Sequence, residues 1–301
     1  MTNVAHTFDQ HRQRLTGIAY RMLGSRADAD DVLQDAWLRW HESAPDDLRS
    51  AEAWLVTTVT RLSLDRLRAR KAETRHYVGP WLPEPLDAAD PITPESRLEL
   101  ADNLSIAFIA VLERLTPDER AAFLLREVFD YDYPEVAKML ERNEAACRQL
   151  VHRAKARVGE DRPRFTVDRA AHLRVLRAFM AAAQSGRRDD IESLLAEDAI
   201  AVSDGGGKTW ATIKPLQGAA RIAWLYYAVA RNPDIRLEWR EGIVNGEPAI
   251  LRFREGALHS TLSIVTDGER VVALYGVLNP DKLADFNADP AVTGAASDAS
   301  C

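Results

Sequence analysis

The sequence predicts a multi-domain chain: two all-α modules, then an α+β domain with a curved antiparallel sheet. Three observations predict it. The 301 residues amount to about two domains at roughly 150 residues each. Apolar residues recur at three- and four-residue steps up to residue 76 and again from Leu98 to about Gly159, whereas beyond Arg164 strand-like alternation takes over. Between the two helical stretches, five of the 14 prolines (Pro80, Pro83, Pro85, Pro91, Pro94) fall within residues 77–98, where they break helices and stiffen the chain.

The elements follow in order. Leu15, Ile18, Ala19 and Met22, then Val32, Leu33, Ala36, Trp37 and Trp40, give residues 1–76 the stripes of a helical bundle. Residues 77–107 form an acidic Pro-rich linker. Thr116-Pro117-Asp118-Glu119 opens the second helical module, 108–162, with a cap residue, a proline at the first helical position and acids in the first turn. Two helices, at about 168–185 and 189–195, lead into the third domain, 166–286. Its strands are expected at 199–203, 235–244, 249–254, 258–266 and 270–278, with an apolar helix at 219–230 crossing between the first and second. Ile235, Leu237 and Trp239 alternate with Arg236, Glu238 and Arg240 as on a half-buried strand. Asn245-Gly246 and Asp267-Gly268 make the last four strands a hairpin meander. The Ala-, Ser- and Asp-rich tail, 287–301, reads as disordered.

Composition excludes several classes. No stretch approaches the roughly 20 apolar residues of a membrane span, and the first residues carry no apolar signal core, so a cytoplasmic protein is expected. The two cysteines, Cys147 and Cys301, offer no disulfide framework, and the seven histidines lack ligand spacing; no metal or cofactor is expected. Gly205-Gly206-Gly207-Lys208-Thr209 ends like a phosphate-binding loop, but Val202 stands where that loop requires glycine, and no helix follows. Three glycines instead suit a backbone that approaches another surface closely, with Asp204 and Lys208 meeting Glu84 of the linker or basic residues of the helical modules. A plain wide turn is the alternative.

The net charge of −7 argues against a strongly basic nucleic-acid binder, yet it is unevenly distributed. Residues 51–79 sum to +3 and 138–164 to +4, whereas 80–107 sum to −5. The basic islands suit phosphate contacts or, more plainly, a solvated helix end. Residues 133–157 have the layout of a helix-turn-helix, with Cys147, Leu150, Val151 and Ala154 inward and Arg148, Gln149, His152, Arg153 and Lys155 outward. Arg and Gln are the side chains that read guanine and adenine in the major groove; an ordinary helical hairpin with a basic face is the alternative. Trp54 could offer a base-stacking platform, but on an amphipathic helix it is read as core.

These residues together resemble the extracytoplasmic-function (ECF) sigma factors of the sigma-70 family. The acidic helix Asp28 to Arg39 resembles region 2.2, which meets core RNA polymerase; the resemblance assigns that contact to Asp30, Asp31, Gln34 and Asp35. Ala53-Trp54-Leu55-Val56 through Arg70 resembles regions 2.3 and 2.4, which engage the −10 element, and implies Arg61, Asp65, Arg66, Arg68 and Arg70. The helix-turn-helix resembles region 4.2, reader of the −35 element, and implies Asn143, Arg148, Gln149, His152, Arg153 and Lys155. Region 3 is absent. The C-terminal part resembles a cone-shaped SnoaL-like domain. Trp81-Leu82-Pro83-Glu84-Pro85, Asp204-Gly205-Gly206-Gly207-Lys208 and Asn279-Pro280-Asp281-Lys282-Leu283 sharpen the match to the ECF subgroup carrying that extension.

The resemblance implies a sigma factor, not an enzyme, with core RNA polymerase and promoter DNA as partners, no membrane, and a monomer when free. The extension would be a fused regulator, contacting the linker through Trp81, Pro83, Glu84, Pro85, the Asp204 to Lys208 loop and Asn279, Pro280, Asp281 and Lys282. A separate anti-sigma factor would not be required. One rival is a ligand sensor or cyclase-like enzyme, with Trp210, Trp224, Tyr227, Trp239, Phe253 and Tyr275 around a pocket and His172 or His259 for proton transfer. Another is a helix-turn-helix repressor, which leaves residues 1–76 without a task.

Overall fold

The structure, a computed structural model, describes residues 2–43, 50–73, 77–90, 104–161 and 167–286. The expected disordered tail and linker residues 91–103 lie outside the described residues. The chain divides into two compact units, Met1–His76 with Phe108–Arg162, and Tyr77–Ala107 with Pro163–Cys301.

The first unit is all helix. α1 (Thr2–Leu23), α2 (Arg26–Ser43) and α3 (Ala51–Glu73) form a bundle. Its core is the expected stripe, Leu15, Ile18, Ala19 and Met22, packed with Val32, Leu33, Ala36 and Trp40 and with Leu55, Val56 and Val59. Burying each large aliphatic side chain contributes about 1.5–3 kcal/mol. Trp54 is half-buried against the buried Trp40, ring centroids 5.4 Å apart, so it packs at the edge of the core rather than inside it.

α4 (Ile106–Leu112) is followed by α5 (Pro117–Phe123), whose start signal at Thr116–Glu119 holds. Thr116 accepts from the Glu119 backbone N–H while Glu119 accepts from that of Thr116, a capping box. A single π-helical turn over Leu124–Val128 closes with the Phe129 N–H donating to the Leu124 carbonyl at 3.0 Å. α6 (Tyr133–Leu140) has a second capping box, Asp132 with Glu135, and ends at Glu141 in the left-handed region, φ 53°. α7 (Glu144–Asp161) completes the helix-turn-helix.

In the second unit, α8 (Arg169–Ser185) and α9 (Arg188–Ser193) precede β1 (Leu195–Asp204), and a two-residue β2 (Leu216–Gln217) precedes α10 (Ala219–Arg231). β3 (Glu238–Val244), β4 (Glu247–Arg254), β5 (Ala257–Thr266) and β6 (Val271–Val277) form the expected antiparallel meander, and α11 (Pro280–Leu283) follows. The sheet order is β2-β1-β6-β5-β4-β3. It is mixed rather than wholly antiparallel: β1 runs parallel to β6, with Ala201 opposite Leu274. Parallel neighbours need a long crossover, which the segment through α10 begins; the hairpin signals reveal the meander but not the strand that joins its edge. Val175, Leu176 and Phe179 of α8 and Ile222, Ala223 and Tyr226 of α10 pack with Ile250, Leu262 and Leu274 of the sheet.

Candidate functional site

On α2, Asp30, Asp31, Gln34 and Asp35 are all exposed, while Ala29, Val32, Leu33 and Ala36 are buried. Leu38, 47% exposed, extends the outward face by one further turn. An exposed leucine beside three carboxylates is a surface with both apolar and acidic character, suited to a basic protein partner.

The α3 arginines each have partners within the first unit. Arg61 donates to the carbonyls of Met139 and Lys138 and pairs with Glu141 at 2.9 Å. Arg66 pairs with Asp28 at 2.7 Å and Asp31 at 3.2 Å. Arg68 bridges Asp65 and Asp118, at 3.2 and 3.1 Å. Arg70 donates to the Leu23 carbonyl at 2.6 Å and reaches Glu113 at 3.6 Å. Thus four of the five predicted −10 residues are cations held by carboxylates or carbonyls of the same unit.

α7 is arranged as its pattern requires. Cys147, Leu150, Val151 and Ala154 are buried, and Arg148, Gln149, His152, Arg153 and Lys155 are exposed. Asn143 accepts from the Ala146 N–H at 2.8 Å and so caps the helix. Arg148 pairs with Glu144 and lies over the Tyr133 ring; Lys155 pairs with Glu127 at 2.6 Å. Arg153 donates to Glu119 at 2.9 Å, and Arg157 also bonds Glu119. Burial would raise the pKa of Glu119, but the Thr116 backbone N–H, Arg153, the Thr116 hydroxyl and Arg157 outweigh it and hold the carboxyl below its ordinary value of 4.5.

Within the second unit, the three strings singled out in the sequence converge on one carboxylate. Asp204 is fully buried at the end of β1. It accepts from the Tyr77 hydroxyl at 2.5 Å, from the Leu82 N–H at 2.8 Å and from Lys282 at 2.7 Å. Lys282, its side chain only 7% exposed, also donates to the Leu82 carbonyl and sits 3.9 Å from the Trp81 ring centroid. Asn279 donates to the Tyr77 hydroxyl at 3.1 Å and caps α11 through the Asp281 N–H. Pro83 and Pro85 are buried and Glu84 is half-buried. The expected meeting of Lys208 with Glu84 is replaced by a pair with Asp281 at 2.6 Å, because α11 brings that carboxylate to the loop. The glycines are required sterically. A Cβ at Gly205 would lie 2.2 Å from the Thr209 carbonyl oxygen, and one at Gly206, φ +59°, would lie 2.3 Å from Asn279 Nδ2.

Two polar residues that pattern reading did not single out also fix these structures. Asn245, fully buried, accepts from the Leu86 N–H and donates to the Leu104 carbonyl, both at 2.8 Å, while its backbone N–H bonds the Leu86 carbonyl. The Asn245-Gly246 signal announced the turn and gave no sign of this second role. Arg120, 2% exposed, donates to the carbonyls of Leu112 and Met22 and to Glu113, joining α5 to α1.

Sequence comparison then fixes the family. Sigma-70 region 2 matches residues 7–73, and Sigma-70, region 4 matches residues 105–158. The chain is 36% identical over 291 residues to the ECF RNA polymerase sigma factor SigJ of Mycobacterium tuberculosis, covering 91% of both chains. The chain belongs to the ECF sigma factors. This sigma factor is also 27% identical to a probable ECF sigma factor, SigI, of the same species, over 95% of its own length and 97% of that protein's. The crystal structure of SigJ aligns with it at a TM-score of 0.76 and 33% identity, covering 95% of the sigma factor and 100% of that chain. The likeness therefore includes the C-terminal sheet domain. Such proteins are transcription factors rather than enzymes. Among the described residues of the sigma factor, no helix is long and apolar enough to cross a membrane, and no group of three or more His, Cys, Asp or Glu could hold a metal.

Proposed function

We propose that this sigma factor acts in the cytoplasm, binds core RNA polymerase through Asp30, Asp31, Gln34 and Asp35, and directs initiation at specific promoters. In this reading α3 engages the −10 element through Arg61, Asp65, Arg66, Arg68 and Arg70. Asn143, Arg148, Gln149, His152, Arg153 and Lys155 of the helix-turn-helix engage the −35 element. The engagement of Arg61, Arg66, Arg68 and Arg70 by groups of the first unit supports a free form that must exchange partners before it grips DNA. The C-terminal domain acts as the fused regulator by holding the linker, so that no separate anti-sigma factor is required.

The observation that carries the regulatory reading is the buried Asp204 with its partners Tyr77, Leu82 and Lys282. Intramolecular tethering gives such a contact a high effective concentration, so a small patch suffices. Run-off transcription with core polymerase tests both claims. The parent chain is expected to initiate at its own promoters, and Asp31→Arg to lose core binding. Tyr77→Phe, which removes one hydroxyl from the clamp, is expected to change transcript yield and expose residues 77–90 to protease. Unchanged yield and unchanged cleavage would remove the regulatory claim while leaving the sigma activity standing.

A further inference from the structure

The second unit encloses a cavity of about 440 Å³, within the range of small-molecule sites. Most of its wall is apolar, from β1, α10, β5 and β6. Of the six aromatic residues expected around a pocket, only Trp210 lines this one; Tyr226 lines it in place of Tyr227. The inward stripe of α10 is Ile222, Ala223 and Tyr226, and Leu274 and Gly276 face the cavity, leaving the intervening Tyr275 on the other side of the sheet. Trp210 both lines the cavity and is 70% exposed, which marks the mouth.

One side chain is out of place in such a wall. Arg252 is 7% exposed and lines the cavity, and its Nε is buried without a hydrogen-bond partner. It forms no ion pair among the described residues; its guanidinium lies 5.5 Å from the Trp239 ring centroid. A Cβ on Gly276 would stand 3.8 Å from its Nη2, so the bare glycine keeps that flank open. A second buried polar atom, Thr212 Oγ1, also lacks a partner and belongs to the same wall. The other ionisable groups lining the cavity that could carry positive charge are Lys208, Arg254 and His259, and the lining contains no Asp or Glu. Burial pushes the pKa of His259 down, and the charges of Arg252 and Arg254 push it further the same way.

An unpaired arginine buried in an apolar wall is costly unless an anion meets it. Its planar donors fit a carboxylate, and a single buried cation matches a single negative charge. We propose that this cavity binds a small, largely apolar molecule with one carboxylate, the carboxylate on Arg252 and the apolar body against Tyr226, Leu262 and Leu274. The proposal concerns the second unit alone and stands independently of the promoter and docking roles.

Calorimetric titration of the full chain with naphthoate and decanoate, against naphthamide and decanol, tests it without polymerase. At least one acid is expected to bind about tenfold or more tightly than its neutral analogue, as a charge-assisted bond in a buried site implies. Arg252→Met is expected to abolish that preference and, free of ligand, to raise the melting temperature by removing an uncompensated charge. Equal binding of acids and neutral analogues, no binding of either acid, a preference that survives Arg252→Met, or a lowered melting temperature would each overturn the proposal.

Discussion

Asp204 and Lys282 are a buried ion pair, their side chains 0% and 7% exposed, and removing one member leaves the other charged and uncompensated. Asp204→Ala is expected to cost about 3–5 kcal/mol in urea unfolding of the second unit, and Lys282→Met placed on top of it to recover part of the loss. A double variant no more stable than the single would mean the two charges act separately. Glu119 makes a pH-dependent contribution. Its folded pKa lies below the ordinary 4.5, so its stabilisation is present above that value and is lost as pH falls through the folded value. Glu119→Gln is expected to lose about 1–3 kcal/mol at neutral pH and to approach the parent in acid; a gap that persisted there would contradict the assignment. Residues of this kind differ in how readable they are. Asp204 stood beside three glycines, a visible anomaly, whereas Arg120, Asn245 and Arg252 have the composition of surface residues, and only the tertiary fold buries them.

Elements were most readable where local chemistry decides them. The cap signal at Thr116 places α5 without reference to the rest of the chain, and the inward stripe of α7 is a matter of helical spacing alone. The parallel pairing of β1 with β6 was not readable, because it joins Ala201 to Leu274 across more than 70 residues and no single turn connects the two strands directly. The loop after β1 is a case in which sterics are sharp enough for a single substitution. Gly206→Ala asks a β-carbon to occupy a left-handed position 2.3 Å from Asn279 Nδ2. It is expected to cost about 1–3 kcal/mol and to loosen α11, whose cap is Asn279. Thermal unfolding with hydrogen exchange at 280–283 would check it; full protection there would rule out the coupling.

At the scale of the whole molecule, the net charge of −7 is the sum of unlike regions, with −5 on residues 80–107 alone. The acidic excess of the linker and the engaged arginines of α3 point the same way for the free protein. A promoter duplex is expected to bind the isolated chain only at about the 10⁻⁴ to 10⁻⁶ M of nonspecific contacts at physiological salt, and at least about tenfold more tightly once core polymerase is present. Fluorescence anisotropy over a salt series would measure both; tight, sequence-specific binding by the free chain would contradict this.

The clamp on the linker also has a chronology. The Lys282 ammonium and the Leu82 carbonyl it holds are 200 residues apart. At roughly 5–20 residues per second a ribosome takes about 10–40 s to pass from one to the other. By then every residue of the first unit has been made, so both helical modules emerge while their connecting segment is still untethered. A nascent chain halted before Asp204 therefore carries both sigma regions and a linker that its clamp does not yet hold.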